Sequence, residues 1–297
     1  MTRNQSNNRN HKSHKDEKRN AENYTDGKGF LPKDTEEFIN NIKIKNEEID
    51  NLFLSLYRLP RKKITKKGET AIEPYGYYAL QKKKRIQSRG KNIESILNAL
   101  NNRMKRCAQQ FPSKIPLEYE PADKLLLGIG ALSPYSNILL MTLHPVYGIP
   151  YIPSSSLKGA VRHCWIQERY EGNESEALKD ALFVKCFGTG AENEDAVAGQ
   201  LIFFDAFPAK SYTIVLDVQT PHFKDYYETK GEKQPTDAIS PVPIFIPAVT
   251  KTKFTIFIGA AKELSEEEES TVCEMVKKTL SEYGLGAKTA LGYGLGK

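Results

Sequence analysis

The segment that decides the fold is HPVYGIPYIPSSSLKGAVRHCW, His144 to Trp165. Its first half is punctuated by Pro145, Gly148, Pro150 and Pro153, and Tyr147-Gly148-Ile149-Pro150 reads as a turn. Pro153 followed by Ser154, Ser155 and Ser156 then signals a helix start. From there Leu157, Ala160, Val161, Cys164 and Trp165 recur at spacings of three and four, which makes one apolar helix face. Upstream, the run from Leu125 to Gly130 suits a buried strand, and Ile138 to Leu143 a second. Strand, turn and helix in this order open an α+β unit.

Working outward, further strands are expected at Gln200–Phe204, Thr213–Val218 and Phe254–Gly259. The last is followed by a capping box, Ser265 with Glu268, and an apolar stripe of Val272, Val276 and Leu280. Gly284 fits as that helix's C-cap. One helix between early strands and another near the end predict an α+β sandwich of ferredoxin-like type. Two helices cover one face of an antiparallel sheet, and the other face is open to a ligand.

Before this domain, expected over residues 122–297 and ending in a glycine-rich loop, the texture differs. Residues 1–29 are polar and basic with almost nothing apolar, so they read as a disordered arm. Residues 30–121 read as a helical basic extension. Phe38, Ile42, Ile49, Leu52 and Leu56 have a rough helical period, and Ile93, Ile96, Leu97 and Leu100 a cleaner one. Between them, Arg58 to Lys91 holds twelve basic residues against two acidic ones, Glu69 and Glu73. Such a stretch either stays solvated or meets a polyanion.

Over all 297 residues, 43 Lys+Arg against 37 Asp+Glu give a net charge of +6. Cys107, Cys164, Cys186 and Cys273 are far apart with no C-x-x-C pair, so neither a zinc knuckle nor a disulfide scaffold is indicated. No cofactor motif or metal-ligand pattern is found, and none is expected to be bound. The N-terminus lacks an apolar core and no run reaches membrane-spanning length, which predicts a cytoplasmic protein without membrane partners.

Three places could carry a site. The helix opened by Ser154, Ser155 and Ser156 offers free backbone N–H groups, with Lys158 and Arg162 one turn apart at the same end. It is either a phosphate site or an ordinary serine-capped helix. Gly159 inside that helix is disfavoured by about 1 kcal/mol relative to Ala, for which close approach of another backbone is a sensible reason. The C-terminus, Gly284 to Lys297, carries Gly286, Lys288, Thr289, Gly292 and Tyr293, so it is either a loop that brings amides close to phosphates or a frayed tail. It is not a Walker loop, because Lys288 follows Ala287 and the glycines come after a helix. Lastly, Thr220 to Tyr227 includes His222 with Phe223, Tyr226 and Tyr227 before a proline-punctuated loop, as a base-stacking surface would. For catalysis, Lys124 to Gln167 contains no Asp or Glu, which rules out a carboxylate metal pair within that stretch. A metal-independent ribonuclease would instead use His144, His163 or His222 with Lys158.

Gly128-Ile129-Gly130, then His144-Pro145 through Arg162, and finally Gly284-x-Gly286-Ala287-Lys288-Thr289 with Gly292-Tyr293-Gly294 together resemble the RAMP superfamily of repeat-associated proteins. The resemblance spans about Lys124 to Lys297. The middle block and Thr220-Pro221-His222 look most like the sixth subunit of the Cmr module of type III-B CRISPR effector complexes. This implies an RNA-recognition-like fold with the glycine-rich loop against RNA, in a non-catalytic binding and assembly subunit of an antiviral ribonucleoprotein. The implied partners are CRISPR guide RNA, target RNA, other RAMP subunits and the small helical subunit of the Cmr complex. The implied RNA-binding residues are Ser155, Ser156, Lys158, Arg162, His222, Gly286, Lys288, Thr289, Gly292 and Tyr293. Two departures stand out: Ser154 replaces a common Gly, and the sequence stops just after the glycine loop. RAMP subunits that cut RNA use an acidic residue in the loop after the first strand, where this sequence has Ser133, Ser136 and Asn137. Alternatives from other classes are the metal-independent endoribonuclease, processing guide RNA, and a structural cap whose contacts are all protein.

Overall fold

A computed structural model describes residues 33, 37, 51–64, 70–74, 80, 85–88, 92–129, 131–133, 136–190, 196–220, 229–232, 234 and 243–297. In chain order its elements are β1 (Pro60–Ile64), β2 (Thr70–Pro74), β3 (Arg85–Gln87), α1 (Ile93–Ala108), β4 (Ser113–Tyr119), β5 (Ala131–Ser133) and β6 (Ser136–Leu140). Then follow α2 (Ser154–Tyr170), α3 (Glu174–Ala177), α4 (Ala181–Phe187), β7 (Leu201–Phe203), β8 (Phe207–Pro208), β9 (Thr213–Gln219), β10 (Ile244–Thr250), β11 (Phe254–Ala260) and α5 (Glu266–Lys278).

The central antiparallel sheet has the order β4-β11-β7, with β8 also on β11. Its inner face is set by register: Ile258 lies opposite both Ile115 and Phe203, and Phe254 opposite Tyr119. Directly opposed residues share a face. All five are buried, and they join Leu157, Val161 and Trp165 of α2 and Val272 and Val276 of α5 in one core. The two helices pack on each other, α2 over β7 and α5 over β4. This is the expected pair on one face of an antiparallel sheet. The serine and glutamate of the capping box bond as the sequence predicts, and Gly284 closes the helical segment with φ +74°.

The opposite face of that sheet is covered over β11 and β8, contrary to the expectation of an open face, while Lys114, Pro116 and Glu118 of β4 stay exposed. A Cβ on Gly259 would lie 2.8 Å from the Phe111 ring, and α1 packs against β11 and β8. The segment before Pro121 therefore shares the core: Leu56, Leu80, Leu97 and Leu100 are buried in it. Among its described residues the basic run contains the antiparallel pair β1–β2 and the strand β3. Residues 1–29 lie outside the described residues.

A second antiparallel sheet, β10-β9-β3, turns Ile214 and Val249 into the main core. Its other face carries Val215, Asp217, Ile246 and Ala248, by the pairs Val215 with Ala248 and Asp217 with Ile246. Residues 125–129 do not form a continuous strand. Leu125 makes a two-bond bridge to Val249, and Gly128 at φ +66° turns the chain away.

Candidate nucleic-acid interface

The C-terminal loop is tied down rather than frayed. It doubles back on residues 120–126: Ala287 N–H donates to Leu126 O at 2.9 Å, Gly294 N–H to Lys124 O at 2.8 Å and Lys297 N–H to Glu120 O at 3.0 Å. In the other direction Ala122 N–H donates to Leu295 O at 2.7 Å, and within the loop Leu285 N–H donates to Gly294 O at 2.9 Å. Two glycines permit this closeness. A Cβ on Gly286 would sit 2.2 Å from Leu126 O, and one on Gly294 1.9 Å from Leu285 O, with φ of +86° and +68°. Ala287 and Tyr293 pack on a small second core of Leu126, Ile246 and Ala248. The loop is thus seated on the β9–β10 face that looks away from the main core.

Side chains fix it there. Tyr293 O–H donates to Asp217 Oδ2 at 2.6 Å, Lys124 Nζ is 3.2 Å from the same carboxylate, and Lys288 bonds Gln219. Burial pushes the Asp217 carboxyl upward, but hydrogen bonds from Tyr293, the Val218 N–H and Lys124 leave it below its ordinary range. The same bond pushes the Tyr293 phenol up. Lys288 itself is exposed, in the left-handed conformation, and begins the short turn Thr289–Leu291, which ends at Gly292. Exposed Arg85 of β3 lies opposite Val215 and so stands on this same face. The loop places Lys288 on the same face as Arg85 and Lys124, with the shielded carboxylate of Asp217 and the exposed one of Asp123 beside Lys124.

The start of α2 forms a second patch, and its chemistry differs from the sequence expectation. No serine side chain caps the helix; Pro153 is the N-cap residue and Ser154 N–H donates to Asp205 Oδ1 at 2.7 Å. A carboxylate already occupies the helix start, which offsets the positive end of the helix dipole. Ser155 and Ser156 remain exposed, and Lys158 has no ion-pair partner among the described residues. Arg162 is committed: its guanidinium pairs with Glu174 at 2.5 Å and lies 5.3 Å from the Phe183 ring centre. Gly159 faces open space, so no backbone among the described residues explains it.

His144 and His163 sit in different surroundings. His144 packs 4.6 Å from Tyr147 and 6.0 Å from Phe207, and its Nδ1 accepts from the Val146 N–H at 3.3 Å, while His163 stands against Tyr283. His222 and the rest of 221–228 lie outside the described residues. Burial holds His144 below its ordinary 6.5, against the opposing pull of Asp205. The unfolded chain therefore binds that proton more readily, so stability is full above the unfolded pKa and declines as pH falls through it. Melting followed from about pH 7 to about pH 5 is expected to flatten in His144→Gln; an unchanged slope would assign the acid sensitivity elsewhere. Among the described residues, no group of three or more His, Cys, Asp or Glu could hold a metal, and no helix is long and apolar enough to cross a membrane.

Sequence reasoning missed Asp205, Lys124, Asp217, Gln219 and Arg85. Each acts through a partner distant in sequence, and no local spacing marks them.

The RAMP superfamily model matches residues 127–297. The chain is 29% identical over 233 residues to the CRISPR system Cmr subunit Cmr6 of Pyrococcus furiosus, covering 60% of this chain and 66% of that protein. It is 27% identical over 157 residues to the CRISPR system CMR subunit Cmr6 of Saccharolobus solfataricus, covering 52% of this chain and 47% of that one. It thus spans about two thirds of one curated relative and about half of the other. Among solved structures it is similar to a chain of the type III-B Cmr-beta complex bound to cognate target RNA, with TM-score 0.51 and 23% identity over 70% of this chain and 66% of that chain. At that identity the likeness is one of fold, and it agrees with the paired helices on an antiparallel sheet. With the family match covering more than half of its length, the chain belongs to the RAMP superfamily.

Proposed function

We propose that this chain is an RNA-binding and assembly subunit of a type III-B CRISPR effector, without catalytic activity of its own and working in the cytoplasm. Guide RNA, target RNA, other RAMP subunits and the small helical subunit are its partners in that reading. The observation that carries it is the glycine-rich loop, clamped on the β9–β10 face with Lys288 exposed beside Lys124 and Arg85. A loop fixed in this way presents cations and backbone at no further ordering cost, as a phosphate-tracking surface requires. Lys158 with the exposed Ser155 and Ser156 supplies the second contact, while the basic extension before residue 121 enlarges the surface. The similarity to Cmr6 proteins supports the assembly, and the packing of His144 on the Tyr147 and Phe207 rings, with its Nδ1 accepting from the Val146 N–H, speaks against its use as a base in the endoribonuclease.

Titration of the purified chain with a single-stranded RNA across a salt series tests this. Lys288→Ala and Lys158→Ala are each expected to reduce the slope of log K against log salt by roughly 0.7, uniformly across RNA sequences. Arg162→Ala changes it less, because that guanidinium is bound to Glu174. Unchanged affinity in both lysine variants would leave the purely structural cap. RNA cleaved by the chain, and spared by His144→Ala or His163→Ala, would restore the nuclease.

A further inference from the structure

We propose that the outer edge of β4, with the carboxylates of α5 beside it, docks an extended lysine- or arginine-rich segment of a protein partner as an added strand. A groove of about 580 Å³ runs along this edge, lined by Ile115 and Pro116 of β4 and by Glu266, Glu269, Cys273 and Glu274 of α5. It lies on α5 and the β4 edge, whereas the basic loop is seated on β9 and β10 and meets the continuation of this edge only past Tyr119, where Lys297 N–H bonds Glu120 O.

The backbone of the edge is available. Among the described residues β4 pairs with β11 alone. Phe257 turns its carbonyl to the Phe204 N–H on the β7 side at 3.2 Å. Pro116, directly opposite Phe257, therefore belongs to a non-hydrogen-bonded pair, and its backbone turns outward. Lys114 and Glu118, two residues to either side, share that direction. The edge thus offers the N–H groups of Lys114 and Glu118 and the carbonyls of all three. Proline sits where its missing N–H breaks no existing bond, and it leaves the edge richer in acceptors than donors.

The side chains select the occupant. Glu266, Glu269 and Glu274 have no ion-pair partner among the described residues, unlike Glu268, which is held by Lys185 and the capping box. Lys277 offsets one charge at the C-terminal end of the groove. The remaining excess is negative, which repels phosphates and favours cationic side chains. Lengths agree: Lys114 to Glu118 extends about 13 Å as strand, and Glu266 to Glu274 about 12 Å along the helix. An extended segment laid on β4 places alternate side chains under α5, and cations at those positions reach the carboxylates. The edge supplies backbone affinity and the rim supplies charge specificity, as in other strand-addition complexes.

The test uses the full chain and a labelled short peptide of alternating lysine and valine, followed by fluorescence anisotropy and amide hydrogen exchange. The lysine peptide is expected to bind, and its glutamate counterpart and a uridine oligonucleotide are not expected to compete. Binding should slow exchange at the Lys114 and Glu118 amides. The Glu266→Gln, Glu269→Gln, Glu274→Gln triple variant should weaken binding about tenfold. Glu274→Lys alone, in the helix interior and away from the cap, should do the same in part, so the result does not rest on one variant folding. Equal affinity in both variants, or unprotected Lys114 and Glu118 amides at saturating peptide, would overturn the proposal. Displacement of the peptide by the oligonucleotide would mark the groove as a nucleic-acid surface and overturn it equally.

Discussion

Gly294→Ala is expected to unseat the C-terminal loop and to lower stability by about 3 kcal/mol, or roughly 6 to 12 °C in melting temperature. The added methyl would have to lie 1.9 Å from the Leu285 carbonyl oxygen, at a φ of +68° that side chains other than glycine rarely adopt. Relief requires moving the backbone, and the backbone is bonded on three sides. Gly294 N–H donates to Lys124 O, and Gly294 O accepts from Leu285 N–H and from the buried Tyr119 hydroxyl at 2.5 Å. Gly292→Ala is the control, because it has a similar φ of +89° but open space around it. There the loss should be about 1 kcal/mol, from backbone strain alone. RNA affinity should fall with Gly294→Ala as Tyr293 and Lys288 lose their seat. Equal melting of the two variants would mean that the packing of the loop against residues 120–126 is not what holds it.

Trp165→Ala should be still more damaging, at about 3 to 5 kcal/mol. The indole is fully buried, meets Phe187 nearly edge-on at 5.6 Å and Phe183 at 6.4 Å, and carries the Arg169 guanidinium 5.5 Å from its ring. Alanine leaves a cavity where α2, α4 and the inner face of the sheet meet, and aromatic pairs of this geometry add to the loss beyond their buried area. Urea titration measures it. Trp165→Phe should recover part of the loss, since a phenyl ring refills some of the space. In RNA titrations the salt slope of Trp165→Ala should match the parent, with the fraction of active protein reduced. A changed slope would place Trp165 in the binding surface instead of the core.

The parts legible in the sequence are those whose cause is local. The stripe of Leu157, Val161, Cys164 and Trp165 marks α2, the serine and glutamate of the capping box mark the start of α5, and the apolar run at Phe254 marks β11. What was not legible depends on partners far along the chain. The serines before Leu157 look like a cap, yet Asp205, 51 residues from Ser154, bonds that helix start. Arg85 looks like part of a solvated charge run, yet Ile86 pairs with Ile214 and turns Arg85 onto the loop face. The glycines of the C-terminus were visible, and the main-chain positions that require them were not. Gly286 and Gly294 answer to the carbonyls of Leu126 and Leu285.

The bonding of residues 285–297 to residues 120–126 also orders events in time. As the chain leaves the ribosome, the 120–126 segment emerges with its polar backbone groups lacking these partners. At ordinary rates of synthesis the residues that satisfy them follow about ten to thirty seconds later. Until then Leu125 and Leu126, buried in the finished protein, lack the loop that covers them, so this hydrophobic seam is the stretch a nascent-chain chaperone would shield. Closure of this seam therefore waits for residues 285–297, and it should be slower than the helix and hairpin formation that precedes it.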